Sequence, residues 1–132
     1  MSHFVDIVTA IRNQDALVKA LESLGFKGLR VSDRAQNMND YWGNRSNMKA
    51  HVILPREKTG AHADAGFEKT ADGTFALRID DYDKQKFNDP WLAKVTQFHN
   101  LEVAKKECDL QGLKYTEEMT EENEPRLRVR IL

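Results

Sequence analysis

The stretch Gly66-Phe67-Glu68-Lys69-Thr70-Ala71-Asp72-Gly73-Thr74-Phe75-Ala76-Leu77-Arg78-Ile79-Asp80 decides how the chain folds. Phe75, Leu77 and Ile79 alternate with Ala76 and Arg78, so the large apolar side chains share one face of a strand. Asp72-Gly73 supplies a turn, because glycine takes positive φ without a steric penalty. Parity then fixes the loop. A two-residue loop at Asp72-Gly73 would pair Phe67 with Arg78 and turn Phe67 to the polar face. A three-residue loop, Ala71-Asp72-Gly73, pairs Phe67 with Leu77 on the apolar face. The second is the expected hairpin, with Gly73 left-handed in a bulge turn.

Upstream, Phe4 to Ile11 carries apolar residues on both faces, which predicts an interior strand. Asn13 is placed to cap a helix whose stripe is Leu17, Ala20, Leu21 and Leu24, with Gly25 as its stop. Phe26 to Val31 begins a second strand. Ser32 to Asn47 holds asparagines and a glycine in place of any regular pattern and is expected to be a long loop. Met48 to Leu54 is a strand ended by Pro55, and Arg56 to Gly60 is a polar turn.

Downstream of the hairpin, Asp80 to Lys84 is acidic and turn-like. Asp89-Pro90 marks the start of a helix running to Gln111, where Gly112 stops it. Its stripe shifts by about a quarter-turn between Trp91, Val95, Phe98 and Leu101, Ala104, Cys108. A curve, or a break near His99-Asn100, is therefore expected. Leu113 to Met119 and Arg126 to Leu132 close the chain as strands joined by an acidic connection. This order predicts a single α+β domain over residues 1–132, a mainly antiparallel sheet with two helices packed on one face. The ferredoxin-like fold or a related split β-α-β arrangement is the nearest standard pattern.

Composition excludes several classes. Net charge is −1 over 132 residues, so no global basic field exists to attract nucleic acid or an anionic membrane. No apolar run is long enough to cross a bilayer. The opening residues lack the features of a signal peptide. Cys108 is the single cysteine, which forbids an intrachain disulfide and suits a reducing compartment such as the cytoplasm. At an apolar-stripe position near a helix end, Cys108 reads as a buried thiol. His62 and Asp64, with His51, are the nearest thing to a ligand set, yet their spacing matches no metal motif. No Gly-rich phosphate loop or nucleophile elbow is present. No catalytic residue, cofactor or metal is expected.

Short motifs add a family likeness. Met1-Ser2-His3-Phe4 with Ile7 and Thr9, Gly66-Phe67, Asp72-Gly73-Thr74-Phe75, Asp80-Asp81-Tyr82, Lys94-Val95-Thr96-Gln97 and Gln111-Gly112-Leu113 follow one another over nearly the whole chain. Their order and spacing resemble the hypothetical chloroplast open reading frame 35 family, a domain of cyanobacteria, red-algal plastids, other bacteria and some viruses. Two departures stand out. His99, Leu101 and Glu102 occupy a mid-helix region usually richer in aromatic and histidine residues, and 32–47 is unlike the family. The resemblance implies no activity. It implies the plastid stroma as an alternative location and, because members are often encoded near AAA-type ATPases, a partner of that class.

Two functional expectations follow. The first is an accessory or adaptor domain that binds a protein partner through Arg34, Tyr41, Trp42 and Arg45 in the 32–47 stretch or through a sheet edge, which also allows a homodimer. The alternative is a ligand- or RNA-binding domain. Arg126, Arg128 and Arg130 fall on one strand face, about 6.6–7 Å apart, where they could grip phosphates. Pairing with Glu117, Glu118, Glu122 or Glu124 would instead neutralise them.

Overall fold

The computed structural model describes residues 3–130. The expected extension of the last strand to Ile131 and Leu132, and the family likeness at Met1 and Ser2, lie outside the described residues. The elements are β1 (Phe4–Val8), α1 (Gln14–Ser23), β2 (Arg30–Asn39), β3 (Arg45–Leu54), the one-turn α2 (Arg56–Thr59), β4 (Ala65–Lys69), β5 (Phe75–Asp80), a 3-10 turn (Asp81–Asp83), α3 (Asp89–Gln111), β6 (Lys114–Met119) and β7 (Pro125–Arg130). The first five strands form one antiparallel sheet in the order β1-β5-β4-β3-β2, and β6 and β7 pair separately. The fold is α+β, with α1 and α3 packed on one face of the sheet. It is a wide split β-α-β rather than the ferredoxin-like order. β1 and β2 occupy opposite edges, joined through α1, with β5, β4 and β3 between them.

The β4–β5 hairpin has the register that parity predicts. Phe67 lies opposite Leu77, and Thr70 and Thr74 close a three-residue loop through a 2.8 Å backbone bond. Gly73 holds φ +89°, a conformation that L side chains rarely adopt. Phe67, Phe75, Leu77 and Ile79 are fully buried and face Leu17 and Leu21 of α1 and Val95 of α3. Trp91 sits at the centre of an aromatic group, 4.9 Å from Phe87 and 5.9 Å from Phe26 between ring centroids. Thirteen buried residues in this cluster, at ~1.5–3 kcal/mol for each large side chain, supply the main apolar drive to fold.

The helix caps form as local sequence demands. Asn13 Oδ1 accepts the Ala16 amide at 2.9 Å, and Gly112 ends α3 with φ +70°. The cap of α3 is Asn88 rather than Asp89, because Asn88 Oδ1 accepts the Trp91 amide at 3.0 Å and Asp89 already lies in the first turn. α3 does not break at His99. Its first half covers the sheet, and its second half packs between α1 and the β6–β7 hairpin, which accounts for the displaced stripe. His99 is buried at this junction, with Nε2 accepting the Asn13 amide at 3.2 Å and Nδ1 2.9 Å from Asn100 Oδ1. With Nε2 accepting, Nδ1 is the ring nitrogen placed to donate to Asn100 Oδ1.

Two expectations are corrected. The first strand ends at Val8, which is 87% exposed, and it is an edge strand. Thr9 and Ile11 leave the ladder, although Ile11 O still accepts the Phe75 amide and the Thr9 hydroxyl donates to Phe75 O. The second correction is larger. Residues 32–47 are not a loop: β2 runs to Asn39 and β3 begins at Arg45. β2 slips register between Val31 and Gln36, and beyond that bulge the hairpin bends over the outer face of the sheet. There Met38 and Ala50 lie on Gly66, Met48 and Phe4 each pack against the Met38, Ala50 and Ile53 cluster, and Lys49 O accepts Arg78 Nη1 at 2.9 Å. Arg78 also pairs with Asp6 and Glu68 on this face. Asparagine and serine side chains satisfy the bent backbone: Asn37 Nδ2 donates to Ser46 O, and the Ser46 hydroxyl donates to Met38 O.

Candidate partner-docking site

The folded-over β2–β3 hairpin ends in a tight turn, Asp40 to Asn44. Asp40 Oδ1 accepts the amides of Trp42 and Asn44 at 2.9 and 3.0 Å, and Gly43 takes φ +75°. This turn delivers Tyr41 and Trp42 to the connections that follow β3 and β5. Tyr41 stacks on His62 with centroids 5.2 Å apart and planes 11° from parallel. Trp42 meets the Tyr41 ring edge-on at 5.1 Å, and Tyr82 approaches both Tyr41 and His62 at 5.9 and 5.8 Å. Trp42 is 65% exposed and Tyr82 71% exposed. The result is an aromatic platform, wet on its outer side and held from beneath.

Buried carboxylates hold it. Asp83 accepts the His62 and Ala63 amides and lies 2.8 Å from His62 Nδ1, which fixes the ring under Tyr41. Asp64, with no side-chain exposure, accepts Asn39 N at 2.8 Å, Arg56 N at 2.8 Å and Arg30 Nη2 at 3.1 Å. It therefore ties the end of β2 to the start of α2 and β4. The Asp64 amide returns a bond to Asn39 O at 3.0 Å. Arg56 lays its guanidinium across Gly43 and donates Nε to His62 O at 2.9 Å, joining the turn to the His62 segment. Burial of two acids is offset here by several hydrogen bonds to each.

The expected docking residues are divided by this geometry. Tyr41 and Trp42 form the platform. Arg45 stands at the first position of β3, with Nη2 donating to Asn37 Oδ1 at 2.7 Å. Arg34 lies in the bulged part of β2, exposed. His62, Tyr82, Asp83 and Arg56 join from other segments. The one sequence sign of Tyr82 is an aromatic residue inside an acidic turn.

The residues weighed as metal ligands are otherwise engaged. His51 Nδ1 accepts the Lys69 amide at 3.1 Å, His62 faces Asp83, and Asp64 is a backbone clasp. Among the described residues no group of three or more His, Cys, Asp or Glu is placed to hold a metal. Cys108 is buried. A groove of about 390 Å³ between α1, α3 and β6 is lined by opposite charges. In it Lys105 bridges Glu102 and Glu117 at 3.1 Å each; burial pulls the ammonium down, but the two carboxylates carry its pKa above the ordinary lysine value.

On the β6–β7 hairpin, Arg126 and Arg128 both approach Glu118 of β6, at 3.5 and 2.7 Å, so a cross-strand acid neutralises part of the arginine row. This contact draws the Glu118 carboxyl below its usual range. Among the described residues no helix is long and apolar enough to cross a membrane. A scan of protein-family models and searches of curated proteins and solved structures give no match for this chain.

Proposed function

We propose that the chain is a non-enzymatic accessory domain that docks a protein partner on the Tyr41–Trp42–Tyr82–His62 platform. The observation that carries this reading is the exposure of Trp42 and Tyr82 on a base fixed by Asp83 and Asp64. Tryptophan and tyrosine dominate interface hot spots. Side chains already held in place lose little further freedom on binding, which raises the affinity obtained per contact. Arg45 and Arg56 supply donors at the rim. The family likeness brings no activity, and it suggests an AAA-type ATPase as one partner class.

The test uses the full chain as bait in a native extract of its source. Wild type should recover a specific partner, Trp42→Ala with Tyr82→Ala should lose it, and Arg128→Glu with Arg130→Glu should retain it. Both variants must keep the wild-type circular dichroism spectrum. Recovery unchanged by the platform pair refutes the reading. A homodimer formed through the platform would instead appear as a sedimentation change abolished by the same pair.

A further inference from the structure

We infer that the outer face of the β6–β7 hairpin is a second binding surface, one that contacts the phosphate backbone of duplex nucleic acid. The pairing register places Lys114 opposite Arg130, Thr116 opposite Arg128 and Glu118 opposite Arg126. Because side chains alternate, these six residues share one face, while Tyr115, Glu117, Leu127 and Val129 take the other. The face thus carries four cations and one carboxylate, in a chain whose acids outnumber its Lys and Arg overall.

The charge is graded along the hairpin. Glu118 neutralises the end nearest the acidic turn, where it meets Arg126 and Arg128. At the other end Lys114 and Arg130 are exposed and directly opposed, and among the described residues neither forms an ion pair. Like charges across a strand pair destabilise it, so folding alone gives no reason for this arrangement. Lys114, Thr116, Arg128 and Arg130 line a shallow groove of about 280 Å³, which Tyr115 borders.

The chemistry of this face favours nucleic acid over an acidic protein segment. Its own side chains are all polar or charged, and among the described residues that line the groove Tyr115, from the opposite face, is the single aromatic, short of the clustered anchors that protein hot spots use. Phosphate contact requires only guanidinium, ammonium and hydroxyl donors, all of which are present. Tyr115 offers one ring at the edge of the groove, whereas a single strand is held by a succession of stacked bases, so the row of donors favours a duplex backbone. A two-stranded ribbon also fits the ~12 Å major groove. Contacts of this kind are independent of sequence.

Fluorescence anisotropy on the full chain tests this with a short labelled DNA duplex and the corresponding single strand, at about 50 to 200 mM salt. Wild type should bind the duplex at low salt, with log affinity falling against log salt at a slope of about −3, near 0.9 per engaged cation. Lys114→Glu with Arg130→Glu should weaken binding by at least ~10-fold and flatten the slope by about 2. Lys114→Gln with Arg130→Gln should do the same to a smaller degree. The distant pair Lys27→Glu with Lys86→Glu, which changes net charge equally, should alter affinity less than ~2-fold. The inference is overturned by no binding at low salt, by equal loss in the distant pair, or by preference for the single strand. Equally effective competition by polyglutamate or by phosphatidylserine vesicles also overturns it. None of these outcomes bears on the aromatic platform, which lies on a different element.

Discussion

Gly66 is the point at which the outer cover touches the sheet, and replacing it with alanine tests that arrangement directly. A Cβ built on Gly66 would lie 2.5 Å from Ala50 Cβ and 2.9 Å from Met38 Sδ. Ordinary carbon contacts are ~3.5–4.0 Å, so the overlap with Ala50 is about 1 Å. The Met38 side chain can swing aside. Ala50 Cβ cannot, since it moves only with its backbone, and Ala50 is fully buried. Overpacking of this kind costs ~1–3 kcal/mol. Gly66 does not occupy positive φ, so alanine also gains ~0.5–1 kcal/mol by reducing chain entropy in the strand. The net expectation for Gly66→Ala is a loss of about 1–2 kcal/mol, or roughly 3–10 °C in Tm. Ala50→Gly alone should cost about 1.5 kcal/mol through a lost buried methyl and added backbone freedom. The double variant should recover at least ~1 kcal/mol relative to the sum, because the colliding carbon is gone. Chemical denaturation of the four proteins closes the cycle. Amide exchange at Asn39 shows whether the hairpin lifts as a unit. A neutral Gly66→Ala, or additivity within ~0.5 kcal/mol, refutes the packing of this hairpin on the outer face.

Asp64→Ala removes the clasp and leaves the half-buried amides of Asn39 and Arg56 without their acceptor, at ~1–2 kcal/mol each. Denaturant unfolding should therefore show about 2–4 kcal/mol lost, together with a reduced near-ultraviolet signal as Tyr41 leaves His62; a change under ~0.5 kcal/mol would contradict the clasp. In the β4–β5 turn, Asp72 Oδ1 accepts the Thr70 hydroxyl, the Thr74 hydroxyl and the Thr74 amide, which hold its carboxyl far below the ordinary aspartate range. A lowered native pKa means that folding favours the ionised acid, so its contribution is present above the unfolded pKa of about 4 and is lost as pH falls below it. Thermal midpoints from pH 6 to 2 should fall less steeply for Asp72→Asn than for wild type; parallel curves would show that this turn adds nothing to acid sensitivity.

The parts of the fold that could be read in advance are those governed by neighbours in sequence. Phe67 and Leu77 are ten residues apart around a turn, and side-chain parity alone pairs them. Asn13 and Gly112 act on helix ends within a few residues of themselves. The β2–β3 hairpin could not be read this way. Its distal half crosses the sheet rather than extending it, and although Met48 and Ala50 alternate with exposed neighbours, β2 is broken by a register slip before Met38, so one strand of the pair carries no continuous pattern. Its backbone is satisfied by Asn37 and Ser46, residue types that ordinarily mark loops. The candidate site shows the same division. Tyr41 and Trp42 stand out as aromatics in a polar stretch, whereas His62, Tyr82 and Asp83 come from segments about 20 and 40 residues further along the chain. Lys114 joins the arginine row only through register, since its partner Arg130 lies across the acidic turn.

The outer cover and the aromatic platform are one mechanical unit. Tyr41 and Trp42 sit on the turn of the hairpin that Ala50 and Met38 press onto Gly66, and Asp64 fastens the strand that carries them. Any opening that frees the hairpin must also separate Tyr41 from His62. A partner bound to Trp42 and Tyr82 would favour the closed hairpin by mass action, by about 2.7 kcal/mol when its concentration is 100 times Kd. By the same linkage, loosening the clasp weakens the partner even when every contact residue is intact. Stability of the hairpin and affinity at its tip are therefore expected to change together. The β6–β7 hairpin packs on α3 instead, so its outward cationic face stands outside that coupling.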